Sequence, residues 1–235
     1  DATWDLESSL TRRLKQFVPQ ARWAEQEGRA IRVFKRKAHY FLHDTSALND
    51  DFRCLALMQH HGAPTRLLDF TKSPYVASYF ALHSSTTTAA VYAVNTPALW
   101  HEAKPPGFPE QTRDAIDPRN HDLLHRYYLS NQYPVVWPGE PWSMDRRIVA
   151  QAGTFMIPGK IDVSVAELLT NYDYNGTILA KIIIPNEIRS EAMEALYRMN
   201  ISHATLFPDL DGLARSISYE LEASWVGSSA NPDSN

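Results

Sequence analysis

Residues Met58–Asp69 read Met-Gln-His-His-Gly-Ala-Pro-Thr-Arg-Leu-Leu-Asp, and Gln59, His60, His61, Arg66 and Asp69 crowd around Gly62 and Pro64. The apolar run Tyr75–Leu82 follows almost at once. Stability does not call for that density of polar groups beside a core segment, whereas a binding or catalytic site does. Plainer readings stand beside this one. Arg66 and Asp69 could form an ion pair that pins a strand, and Gln59 and His60 could cap the end of a helix. A metal-dependent nuclease or hydrolase would draw ligands from His60, His61, Asp69 and His83. Against it, adjacent histidines at a helix end point in different directions, and the chain has no His-Glu-x-x-His and only one cysteine, so no metal site is expected. Phosphate-cradling glycine loops and a Gly-x-Ser-x-Gly elbow are absent as well.

The elements that must position these groups follow from periodicity. Leu6, Leu10, Leu14 and Phe17 recur at helical spacing, and Pro19 stops that helix. Residues 21–47 are helical in part. Asp50 or Asp51 caps a helix running to about His60, and Gly62 ends it. Thr65–Phe70 is a short strand. Ser73-Pro74 opens a helix through Leu82, because serine caps and proline suits the first helical position. Ala89–Val94, Pro134–Trp137, Arg147–Ile157, Leu179–Ile184 and Ala204–Phe207 are expected as strands, with Gly153 marking a bulge or close backbone approach and Leu179–Ile184 buried. Val165–Leu169, Ile188–Met199 and Leu213–Ala223 are expected as helices, the last capped by Asp211. Thr96–Gln132 is a long region with one short helix at His121–Tyr128, and a loop of that length usually serves a function. With Trp100, Tyr127, Tyr128 and Tyr133 it offers a recognition surface for a non-catalytic interaction module.

The chain has 235 residues, 44% of them apolar, and a formal net charge of -4. That composition supports one α+β domain over residues 1–227, with a helical N-terminal portion, a sheet of five or more strands, and residues 228–235 as a flexible tail. The net charge excludes a global basic field for nucleic acid. The five Lys/Arg in Arg29–Lys37 read as a solvated helix face. A lone cysteine, Cys54, fits a reducing compartment, and no run is apolar and long enough for a membrane span, so a cytoplasmic location is expected. The chain starts at Asp1 without methionine, and an upstream segment is expected.

Met58–Thr71, followed by Ser73-Pro74 and Ala77-Ser-Tyr-Phe-Ala81, closely resembles the core of the FRG domain. Trp4–Arg12, Arg147–Phe155 and Thr205–Ala214 agree with it in order. The aromatic-Arg-Gly triplet that names the family is expected just before Asp1; Phe52-Arg53-Cys54 is no substitute. The motif order bears a weaker resemblance to ADP-ribosyltransferases, which implies an ADP-ribosyltransferase-like mixed or antiparallel sheet core. The missing arginine would be its first element, Leu67–Thr71 its second, and Gln151 on a late strand its third.

That resemblance implies NAD as substrate and an oxocarbenium-like transition state, chemistry that needs positioning and electrostatics more than a strong nucleophile. The implied catalytic residues are Gln151, Arg66 and Asp69. Arg66 and His61 would hold the pyrophosphate, Gln151 the ribose hydroxyls, and Asp69 would orient Arg66 or a hydroxyl. His60, His61, Thr65, Phe70, Thr71 and Tyr75 complete the NAD contacts, with Tyr79 as a further stacking ring. Gln151 reads equally as satisfying backbone groups at a sheet edge. Glutamine in place of the usual glutamate mildly favours a nucleobase acceptor over a protein. The implied setting is a bacterial toxin or phage-defence effector, with a nucleic acid or protein acceptor and an antitoxin partner.

Overall fold

The structure is a computed structural model and describes residues 2–108 and 112–226. The expected tail at residues 228–235 lies outside the described residues. Helix α1 (Ser9–Phe17) starts where the Ser8 side chain accepts from the Thr11 amide, and it ends before Pro19. Leu10 and Leu14 pack on Trp23 and Ile161, while Phe17 points outward. Helix α2 (Trp23–Ala38) buries Glu27 and Ile31, one turn apart on one face, and leaves Arg29, Arg32, Arg36 and Lys37 in solvent. Helix α3 (Asp51–His60) is capped by Asp50 and buries Phe52, Cys54, Leu55 and Met58. Gly62, at φ +76°, then turns the chain in the left-handed region that glycine tolerates.

Among the described residues, five strands make two antiparallel sheets, where one sheet of at least five was expected. Strands β1 (Leu68–Thr71), β4 (Gly153–Pro158) and β3 (Val136–Gly139) form one, in the order β1-β4-β3. Strands β2 (Ala89–Val94) and β5 (Leu179–Ile184) form a separate ribbon. The ribbon corrects the expected burial of β5: neighbouring Ile182 and Ile183, which point to opposite faces, are 52% and 50% exposed, so neither face of the two-stranded ribbon is fully covered there. Helix α4 (Pro74–Leu82), with the Ser73 cap, packs between β1 and β2. Phe52, Leu55, Leu67, Tyr128, Trp137 and Ile157 fill the main core.

Three further segments differ from expectation. Residues 146–150 are helix α7 (Arg146–Ala150), not strand, because the Asp145 side chain accepts from the Ile148 amide at 2.9 Å and starts a turn. Residues 203–206 are helix α10 (His203–Leu206), held by a reciprocal capping box between Ser202 and Thr205. The last helix, α11 (Leu210–Val226), begins earlier than expected, with Asp209 rather than Asp211 accepting from the Gly212 amide. The long 96–132 region holds helix α5 (Thr96–His101), helix α6 (His121–Leu124) and a π-helical turn at His125–Leu129. Helices α8 (Val165–Thr170) and α9 (Arg189–Arg198) lie close to their expected places.

Arg66 is fully buried, and its partner is Glu27 of α2 rather than Asp69. Its Nε donates to Glu27 Oε1 at 2.7 Å, its Nη2 to Glu27 Oε2, and its Nη1 to the Pro158 carbonyl at 2.8 Å. Removing one member of such a pair leaves an uncompensated buried charge. Arg66→Ala or Glu27→Ala is expected to cost about 3–5 kcal/mol in denaturant unfolding, while the paired change Arg66→Met with Glu27→Met recovers most of it. A single-variant loss below about 1 kcal/mol would show that the pair does not hold the fold.

Candidate functional site

Thr65 and Gln59 aim Asp69. The buried Thr65 hydroxyl donates to Gln59 Oε1 at 2.7 Å, and Gln59 Nε2 donates to Asp69 Oδ2 at 2.9 Å. Thr65 is itself anchored to α1, its carbonyl accepting from the Leu10 amide and its amide donating to Ser9 Oγ. Thr65 therefore supports the site from behind instead of facing a ligand. Asp69 is open to solvent along its outer edge, yet the protein packed around its carboxylate raises the carboxyl above its ordinary range, and Gln59 and the charge of Arg147 offset this only in part.

The β1–β4 ladder brings the later segment alongside. Asp69 pairs with Phe155 and Thr71 with Gly153. The Thr71 hydroxyl donates to the Gln151 carbonyl at 2.7 Å and accepts from the Ser73 amide, so it fixes both the Gln151 backbone and the start of α4. Gln151 follows α7, and its Nε2 donates to the Leu206 carbonyl at 3.0 Å at the end of α10. Ala152 then takes φ +46°, and a side chain on Gly153 would come within 3.1 Å of the Ile148 carbonyl, so the expected close approach is present.

Residues not foreseen as functional complete the surface. Asp145 lies 3.0 Å from His60 Nδ1. Burial pushes its carboxyl up, but His60 and the Ile148 and Arg147 amides outweigh burial and hold it below the ordinary range. His61 is exposed; partial desolvation, then neighbouring His60, favours its neutral form. The Arg147 guanidinium lies 4.5 Å from the Phe207 ring and makes no ion pair among the described residues. The segment 140–145 is tied across the mouth by Lys72–Glu140 at 2.7 Å and by His60–Asp145, and it carries Trp142, 72% exposed, with the Arg119 guanidinium 4.0 Å from its ring. Asp145 was legible as a capping residue before Arg146; Trp142 and Glu140 had no local signal.

The expected meeting of Arg66 and Gln151 in a dinucleotide pocket is not formed, because Arg66 has no surface. Phe70 packs against a second core cluster containing Leu68, Val136 and Met156, while Tyr75 is exposed. His83 and His203 line an adjacent cleft of about 200 Å³ with Tyr79, Arg215 and Tyr219. That is smaller than the ~300–1,000 Å³ of most ligand pockets and suits one planar ring. His83 Nδ1 is buried there without a hydrogen-bond partner among the described residues. His203 stacks on Phe207 at 4.2 Å, and its Nδ1 lies 3.0 Å from the Tyr79 hydroxyl, which links the cleft to Arg147. A larger and more open depression of about 410 Å³ is lined by Gln20, Ser130, Asn131 and Asp162, none of them expected to act. His60, His61, Asp69 and His83 do not assemble as ligands. Among the described residues the group with metal-ligand spacing is Asp51, His121 and His125.

Residues 1–90 match the FRG domain. The FRG segment carries Gln59, His60, Asp69 and Thr71 and stops just inside β2. Asp145, Arg147 and Gln151 lie beyond it, so the surface is half FRG segment and half later chain. No curated protein and no solved structure matches the chain. No helix among the described residues is long and apolar enough to cross a membrane.

His203 gives the cleft a pH dependence. Burial, then the positive charge of Arg215, then His83 and Arg147, push its imidazole below its ordinary value, against Asp209. The folded state thus favours the neutral ring, and the unfolded chain protonates first as pH falls through about 6.5. Stability present above that pH is lost below it. Thermal unfolding between pH 7 and 5 is expected to show a falling midpoint, with a shallower fall in His203→Gln; equal slopes in both proteins would remove His203 as the cause.

Proposed function

We propose that the surface between β1 and α7 binds NAD and that the chain transfers ADP-ribose by breaking the nicotinamide–ribose bond. The observation that carries this reading is the convergence of Asp69, Arg147 and Gln151 at one end of the β1–β4 ladder. Arg147 takes the role first expected of Arg66, because its guanidinium makes no ion pair among the described residues and its charge acts on Asp69. It would hold the pyrophosphate. The exposed Trp142 ring offers a stacking face for a base, in place of Phe70. Gln151 Nε2 is spent on Leu206, which leaves Oε1 to accept from ribose hydroxyls.

Asp69 stabilises the positive charge that develops on the ribose as nicotinamide departs with the bonding electrons. The acceptor then attacks the anomeric carbon and releases a proton. Glutamine at position 151 cannot act as a base, which favours an acceptor that supplies its own amine, as a nucleobase does. On this reading the two antiparallel sheets are an ADP-ribosyltransferase-like core. The setting of a bacterial toxin or phage-defence effector, with an antitoxin partner, rests on the family resemblance alone.

Arg147→Ala and Gln151→Ala are expected to lower NAD turnover by about 10²-fold or more with the protein still folded, and Trp142→Ala to weaken NAD binding without changing the unfolding midpoint. Because Asp69 must be ionised and its carboxyl is raised, the acid limb of the pH–rate profile should sit above the ordinary aspartate value near 3.9 and vanish in Asp69→Asn. Label from NAD followed into DNA, RNA and protein pools identifies the acceptor. A protein that neither binds nor consumes NAD would leave an interaction module as the reading.

A further inference from the structure

Away from that surface, three side chains with metal-ligand chemistry converge from separate parts of the chain. Asp51 opens α3, His121 opens α6, and His125 stands one turn later at the start of the π-helical turn. The two histidines, four residues apart, present their rings on one helix face, 4.3 Å between centroids. Asp51 Oδ2 lies 2.7 Å from His125 Nε2 and 3.5 Å from His121 Nε2, and the group offers one ligand atom per residue, all within 4.8 Å of one another. Bonds of about 2.0–2.2 Å to one ion would hold such atoms roughly 3–3.5 Å apart. Small rotations of two exposed rings reach that spacing.

The carboxylate is already prepared. Asp51 is buried, and Lys35 of α2 holds its Oδ1, which turns Oδ2 toward the imidazoles. Holding a ligand by its second oxygen is how outer groups orient metal ligands. Both rings are largely exposed, so water reaches the open coordination positions.

We propose that Asp51, His121 and His125 bind a divalent first-row transition ion of the zinc class, with water in the remaining positions, and that the ion clamps the 96–132 region to α3. Two imidazoles and one carboxylate select such ions over the hard cations magnesium and calcium. The clamp closes the chain between residues 51 and 125. It does not depend on NAD binding.

The test uses the whole chain, stripped with a chelator and titrated with zinc by calorimetry and with cobalt by visible absorption. One equivalent of zinc should bind, raise the thermal midpoint and resist excess magnesium. Cobalt should give d–d bands in the visible range. Asp51→Asn and His121→Ala should each weaken zinc binding about tenfold or more. His121 is exposed and its close carboxylate contacts among the described residues are at 3.3 and 3.5 Å, so His121→Ala is expected to fold, with circular dichroism as the check. No saturable zinc binding, or unchanged affinity in His121→Ala, overturns the proposal. Unchanged affinity in a folded Asp51→Asn overturns it too, by reducing the group to a surface histidine pair.

Discussion

The buried clasp of Arg66, Glu27 and the Pro158 carbonyl is the constraint around which the rest is arranged. A guanidinium without exposed surface is costly unless its donors find acceptors, and here three directions are met at once, by one carboxylate and one backbone oxygen. The clasp joins α2, the approach to β1 and the end of β4. It sets how far Leu67–Thr71 can slide, and so where Asp69 points. The chain leaves β4 through Gly159, where a side chain would strike the Tyr133 carbonyl at 2.3 Å, so Pro158 has little freedom to move away. A single ionic knot thus decides the register of the strand that carries the polar surface.

A second, softer lattice leads to the 140–145 segment at the edge of that surface. The Arg113 guanidinium lies 4.3 Å from the Trp100 ring and 5.3 Å from Trp137, and Arg119 lies 5.3 Å from Trp137 and 4.0 Å from Trp142. Alternating rings and cations run from the partly buried Trp100 through the buried Trp137 to the open Trp142. Each contact is modest, but the series gives the 140–145 segment a defined resting position without regular structure. Asp117 pairs with Arg119 within this series.

Much of the fold was legible because local chemistry agreed with tertiary demand. Asp50, Ser73 and Pro19 mark helix ends that the structure keeps. Where expectation failed, a short polar contact overrode an apolar pattern. Ile148–Ala150 runs apolar like a strand, but Asp145 starts a helical turn, and Ser202 does the same for His203–Leu206. The division into two sheets could not be read, because strand pairing is decided between residues some eighty positions apart, as in Phe70 with Thr154. The cluster at Gln59, His60 and Asp69 was legible as polar density. The fate of Arg66 was not, because Glu27 lies 39 residues upstream with no pattern to link them.

The stretch that matches the FRG domain stops at residue 90, and the interactions described above do not. Its strand β1 has its partner at residues 153–156, Arg66 leans on the carbonyl of Pro158, and the Thr11 hydroxyl donates to the carbonyl of Ile161. β2 would be cut after its second residue, severed from the ribbon it forms with β5. A polypeptide truncated there would expose a bare strand edge and leave a buried cation short of one acceptor, conditions that favour clumping over folding. Sequence similarity and the unit that folds are therefore not coextensive in this molecule.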